Sequence, residues 1–176
     1  EAGNMTTEKG AFSLREVVGF AVGLFETQAE RKDVTMVLNI PDQVPDWLIG
    51  DAPRVQQLIC QLVSNAVRFA FKGGGIVVQA LPGEVVGEVV GEVGGESADG
   101  KTNVHFAVSD TGIGVPYELQ DKILDAFVNA DSSITRRYGA TGLSLSLSSQ
   151  LARMMGGRIW IKSIPYRGTT YHVELP

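Results

Sequence analysis

Three clusters in this sequence carry side chains able to do chemistry. The first is Asp110 to Gly114, DTGIG, directly after the alternating run Lys101 to Ser109. A carboxylate held at a strand end can accept a hydrogen bond from the exocyclic amine of adenine, and glycines beyond it let the backbone approach a flat base. D-x-G-x-G is also common turn chemistry, and on these residues alone both readings stand. The second cluster is Arg54, Gln61, Asn65 and Arg68. At about 100° per residue they fall in one narrow sector of a helix, beside its apolar stripe. By itself that row is equally a solvated flank. The third is Tyr138 to Ser148, YGATGLSLSLS, which has the pattern of a glycine-rich phosphate loop running into a helix whose N-terminus favours anions. Ala140 and Ser144 stand where such a loop would be expected to have glycines.

The elements that must position these clusters follow from periodicity. Ser13 and Glu16 make an S-x-x-E capping box ahead of Leu14, Val17, Val18, Ala21, Leu24 and Phe25, which predicts a helix ending near Lys32. Val34 to Ile40 alternates as a strand, and Pro41 to Pro45 is a connector. Asp51 to Phe71 is the strongest helix, with Val55, Leu58, Ile59, Leu62, Val63, Ala66 and Val67 on one stripe. Ile76 to Leu81 and Lys101 to Ser109 read as strands, the second with Val104, Phe106 and Val108 turned inward. Between them, at about 82–100, a GEVV repeat predicts a low-complexity hairpin insertion, dispensable for the fold. Tyr117 to Phe127 is a short helix opened by Pro116, and Val128 to Thr141 a polar, basic loop. Leu143 to Met155 predicts a helix closed by Gly156 and Gly157, and Arg158 to Ile164 and Thr169 to Leu175 a final pair of strands. Strands and helices mixed without strict alternation imply an α+β sandwich, one sheet with helices on one face.

Bulk properties bound the function. A chain of 176 residues is of one-domain size and can bury a core without staples. The net charge of -5 argues against a sequence-independent grip on nucleic acid. One cysteine, Cys60, excludes an internal disulfide framework and a multi-thiolate zinc site. No stretch is long and apolar enough to span a bilayer, and Glu1 to Gly10 lacks the apolar core of a signal peptide. The chain does not start with Met, which is compatible with a piece of something longer.

Four boxes then occur in order: VPDWLIGDAPRVQQLICQLVSNAVRFA, SDTGIGVPYELQDKILDAF, VNADSSITRRYGATGLSLSLSSQLARMMGG and RGTTYHVELP. Together they resemble the ATP-binding catalytic domain of sensor histidine kinases, especially those of the hybrid type. The resemblance covers nearly all of the chain outside the GEVV insertion. It implies a single domain with the GHKL ATPase fold: a two-layer α/β sandwich, its sheet mixed but mainly antiparallel with about five strands and three main helices on one face. It also implies Mg²⁺ and ATP as cofactors. Asn65 then takes the place of the metal-binding asparagine, and Arg68 that of a phosphate-facing lysine. Asp110 matches the adenine-reading aspartate, with Gly112, Ile113 and Gly114 beside the base. Phe127 precedes the mobile ATP lid, in which Arg136, Arg137 and Gly139 lie, and Thr141, Gly142 and Leu143 open its phosphate-binding end. Thr170, in the GTT box, matches the residue behind the adenine. Gln61 stands where the water-activating members of the superfamily have a glutamate and histidine kinases usually asparagine, and a neutral amide cannot take a proton from water.

What the resemblance implies is phosphoryl transfer from Mg²⁺·ATP to a histidine on a separate helical dimerisation and phosphoacceptor domain of the parent chain, with a response-regulator receiver domain downstream and a cytoplasmic location. The alternatives are a non-catalytic signalling module with a degenerate nucleotide pocket, for which Ser144 is the warning, and a stand-alone GHKL ATPase. His105 and His172 lie inside strands and are expected to be sheet residues, so this piece alone is not expected to phosphorylate itself. Cys60 is expected to be a small packed residue, Trp160 a core residue and Trp47 an anchor at the surface.

Overall fold

A computed structural model describes residues 9–83, 102–115, 117 and 141–176, with the backbone alone for 141–146. Most of the expected GEVV hairpin, of the Tyr117 to Phe127 helix and of the Val128 to Thr141 loop lies outside the described residues. In chain order the elements are β1 (Gly10–Ser13), α1 (Leu14–Gly23), α2 (Glu26–Arg31), β2 (Thr35–Asn39), β3 (Trp47–Gly50), α3 (Ala52–Phe69), β4 (Gly75–Pro82), β5 (Val104–Asp110), α4 (Thr141–Met154), β6 (Arg158–Ile164) and β7 (Gly168–Leu175).

The main sheet has the order β2-β4-β5-β7-β6, with β2 and β4 parallel and every other pair antiparallel. Alternation along β5 and β7 sends Phe106, Val108, Tyr171 and Val173 to the helix side, where they meet Leu58, Ile59, Leu62 and Ala66 of α3 in one core. Helix α3 packs between α1 and α4 and lies over β4 and β5. This is the expected two-layer α+β sandwich with a mixed, mainly antiparallel sheet. Its central helix and central strand both end where the candidate residues lie.

Several expectations need correction. The single helix running to near Lys32 is two helices, α1 and α2, broken at Leu24 and Phe25 just after Gly23. Glycine is a poor helix residue, and the break lets α2 turn so that Ala29 is buried. The Ser13 cap is confirmed, its hydroxyl accepting from the Glu16 amide at 3.2 Å. The partner completing that terminus is Asp46, which accepts from the Ser13 hydroxyl and, at 2.9 Å, from the Arg15 amide. Strands β1 and β3 form a separate two-stranded sheet that periodicity did not reveal, and Trp47 stands exposed on it. Trp160 is not a core residue. It lies half-buried on the outer face of the sheet, stacked on His172 with centroids 5.2 Å apart and with the Arg158 guanidinium over its ring. His105 and His172 are sheet residues as expected, joined side chain to side chain at 2.9 Å.

Candidate functional site

Helix α3 carries its polar row from end to end. At the N-terminus the Asp51 carboxylate accepts from the Arg54 amide at 3.2 Å and pairs with the Arg54 guanidinium at 3.3 Å, so Arg54 is occupied in holding the helix start. Further along, Gln61 is half-buried, Asn65 is 2% exposed and Arg68 is exposed. Among the described residues no partner satisfies the buried Asn65 Nδ2. Oxygen and nitrogen of a carboxamide exchange places by a half-turn, so this position can present either to a ligand.

Strand β5 ends at Asp110, which is 6% exposed. Its Oδ1 accepts from the Gly112 amide at 2.9 Å, while its buried Oδ2 accepts nothing from the described residues. Burial pushes the carboxyl pKa up to about 6, against the pull of the Gly112 and Thr169 amides and the Lys32 charge. A nearly sealed carboxylate whose second oxygen has no well-formed hydrogen bond among the described residues is costly, and a hydrogen-bond donor entering the site would relieve it.

The glycines after Asp110 serve the protein's own packing. A Cβ on Gly112 would strike the Phe69 carbonyl, and the two segments make an isolated bridge between Ala70 and Gly112. Gly114 has φ 69 and lies against the Ile164 carbonyl, where no side chain fits. Ser163 fixes the loop's far end, its hydroxyl accepting from the Val115 amide at 2.7 Å and meeting the Thr169 hydroxyl at 2.8 Å. The Ile113 carbonyl accepts from the Tyr166 amide.

Asn65 at the buried edge of α3 and Asp110 at the end of β5 thus belong to packed neighbours that touch through Ala70 and Gly112. Thr170 does not join them. It pairs with Ser109 at 2.9 Å on the outer face, and it is Thr169, 5% exposed and opposite Asp110 in register, that shares Asp110's side of the sheet. The expected position was Thr170; strand alternation from the core residue Tyr171 puts Thr169 on that side instead. Thr141, Gly142 and Leu143 lie in the first turn of α4, where backbone amides lack helical partners. Phe127, Arg136, Arg137 and Gly139 lie outside the described residues.

Mg²⁺ suits this donor set. Among the described residues no three His, Cys, Asp or Glu side chains are grouped to hold a metal, so there is no all-protein cage. Mg²⁺ commonly takes one or two protein oxygens and fills its octahedron with water and phosphate, and the Asn65 carboxamide can supply one such oxygen.

The chain was compared with known proteins. Residues 50–176 match the family described as histidine kinase-, DNA gyrase B- and HSP90-like ATPase. The chain belongs to this family. Its relatives include the signal transduction histidine-protein kinase BarA of Escherichia coli (strain K12), 36% identical over 99% of this chain and 18% of that protein. Another is the sensory/regulatory protein RpfC of Xanthomonas campestris pv. campestris, 34% identical over 100% of this chain and 23% of that protein. This chain therefore spans less than a quarter of the curated relatives it matches. In three dimensions it is similar to full-length ShkA, solved in complex with AMPPNP: TM-score 0.75, 23% identity, covering 99% of this chain and 32% of that one. That likeness establishes the fold. Among the described residues no helix is long and apolar enough to cross a membrane.

Proposed function

We propose that residues 1–176 are one catalytic domain of a hybrid-type sensor histidine kinase, with a dispensable insertion at about 82–100. The domain takes Mg²⁺·ATP and donates the γ-phosphate to a histidine on a separate helical dimerisation and phosphoacceptor domain. A response-regulator receiver domain accepts it from there, and a cytoplasmic location, where ATP is available, goes with this role. The observation that carries the reading is the buried Asp110 carboxylate, one oxygen held by Gly112 and the other without a well-formed hydrogen bond among the described residues.

Each residue then has a role. Asp110 accepts from the adenine amine through Oδ2. Gly112, Ile113 and Gly114 shape the wall beside the base, and Thr169 stands at that end in the place expected of Thr170. Asn65 supplies an oxygen to Mg²⁺, an ion that neutralises charge on the phosphates when bound. Arg68, exposed at the same end of α3, faces the phosphates together with Arg136 and Arg137. The first turn of α4, with Gly139 before it in sequence, offers its amides to the phosphates, and Phe127 is the aromatic that precedes the lid in sequence. Catalysis is positioning and charge stabilisation, with little covalent work for the protein. Gln61 cannot act as a base toward water, so transfer to a protein nucleophile is favoured over hydrolysis.

Phosphotransfer from radiolabelled ATP, with an upstream acceptor-helix pair of a hybrid kinase fused to the chain, tests this reading. Label on the acceptor histidine is expected, with phosphate release from the unfused chain near background. The competing reading is a signalling module with a degenerate pocket, favoured by Ser144 within the first turns of α4. An unlabelled acceptor that becomes labelled on Ser144→Gly would establish that reading instead.

A further inference from the structure

One lysine outside every motif joins the two ends of this site. Lys32 caps α2, and its Nζ donates to the carbonyls of Val67 at 2.8 Å and Arg68 at 2.7 Å, two of the last carbonyls of α3. Those carbonyls lack helical partners and carry the negative end of the helix dipole, which a cation satisfies. The lysine is itself held in place. Asp33, just after it, takes the left-handed conformation at φ 56, and the Val34 amide returns to the Ala29 carbonyl at 2.9 Å.

The same corner is stitched to the turn after α3. The Gly73 amide donates to the Asp33 carbonyl at 2.9 Å, and the Thr35 amide to the Gly74 carbonyl at 3.0 Å. That turn in turn grips the segment after β5: the Gly75 amide donates to the Thr111 hydroxyl at 2.9 Å, and the Thr111 amide to the Gly75 carbonyl at 3.1 Å. Phe69, one residue beyond Lys32's acceptors, presents its carbonyl to the bare Cα of Gly112, whose amide holds Asp110. Displacing the last turn of α3 therefore moves Gly112 and the carboxylate with it.

We propose that Lys32 is a positioning residue of the nucleotide site. Tied to Val67 and Arg68, it fixes the end of the helix that carries Asn65 and Arg68 against the segment that carries Asp110. The inference rests on the nucleotide reading for the identity of the ligand, and on geometry for the coupling. Lys32 also favours ionisation of Asp110. Among the described residues the buried Tyr171 phenol of β7 also interacts with that carboxylate, its pKa raised by burial and by the Asp110 charge.

The test uses the full chain with Lys32→Met and Lys32→Arg. Lys32→Gln, which keeps a donor without the charge, serves should the methionine variant not fold. Mg²⁺·ADP is titrated into each, and two measurements need no nucleotide: hydrogen exchange at the Ala70 amide and the carboxyl ¹³C titration of Asp110. Lys32→Met is expected to weaken Mg²⁺·ADP about tenfold, a loss on the scale misplacement of binding groups produces. It is also expected to speed exchange at Ala70 and to move the Asp110 midpoint upward. Lys32→Arg, able to reach both carbonyls, restores all three. Wild-type values of exchange and of the Asp110 midpoint in Lys32→Met would overturn the inference, even with a lowered melting temperature. Failure of the wild-type chain to bind ADP would instead reject the nucleotide reading, and the two nucleotide-free measurements would still decide the coupling.

Discussion

Asp110 sets two opposing demands at one carboxyl group. Its pKa is raised from 3.8 to about 6, so the folded chain holds a proton that the unfolded chain has released between those values. The contribution of this group to stability is then highest below about pH 4, falls as pH rises towards about 6, and carries the full penalty above it, on the order of 3 kcal/mol at 1.36 kcal/mol per unit. Urea midpoints between pH 4 and 8 are expected to show this decline in the wild type and to lose that component in Asp110→Asn. Ligand binding runs the other way. The ionised carboxylate is the better acceptor, so affinity for Mg²⁺·ADP should fall as pH drops through about 6, which fluorescence titrations at stepped pH would reveal. The carboxylate at the end of β5 was legible in the sequence because a strand pattern runs up to it. Which of Thr169 and Thr170 shares its side of the sheet is not given by the GTT box and follows only once the alternation is counted from Tyr171.

At the scale of elements, the strong periodicities were legible and the short compensations were not. The α3 stripe predicted Leu58, Ile59, Leu62 and Ala66 in the core, where they lie. Strands β1 and β3 have four residues each and show no decisive alternation. The Asp46 partner of α1 is 33 residues from Ser13, beyond any local pattern. Close approach accounts for two further expectations. Gly112→Ala would drive a methyl into the Phe69 carbonyl and is expected to cost about 1–3 kcal/mol, measured by denaturant unfolding. Asp33 holds a left-handed conformation that glycine adopts freely, so Asp33→Gly is expected to raise stability by up to about 1 kcal/mol in the same assay.

At the scale of the molecule, the sandwich was legible from the order of its elements, and its seam was not. The GEVV segment departs from β4 after Gly83, whose amide donates to the Asn103 carbonyl at 2.8 Å at the head of β5. The two strands are already adjacent and antiparallel there, which is the geometry of a short hairpin. Replacing residues 84–102 with Asn-Gly is therefore expected to leave the melting temperature within a few degrees and Mg²⁺·ADP affinity unchanged. Differential scanning fluorimetry with and without nucleotide would check both, since a ligand at about 100 times its Kd adds roughly 2.7 kcal/mol to a fold that binds it. Lys32 belongs to this scale too, because the two ends of the site move as one body only if the corners it joins stay joined.

The most direct measurement is calorimetric titration of Mg²⁺·ADP into the wild-type chain and into Asp110→Asn at pH 7.5. A buried purine held through Asp110 Oδ2 predicts saturable one-to-one binding that weakens by about tenfold or more in the variant, the scale of a hydrogen bond to a charged group. Equal affinity in the two proteins, or no binding to either, would contradict it.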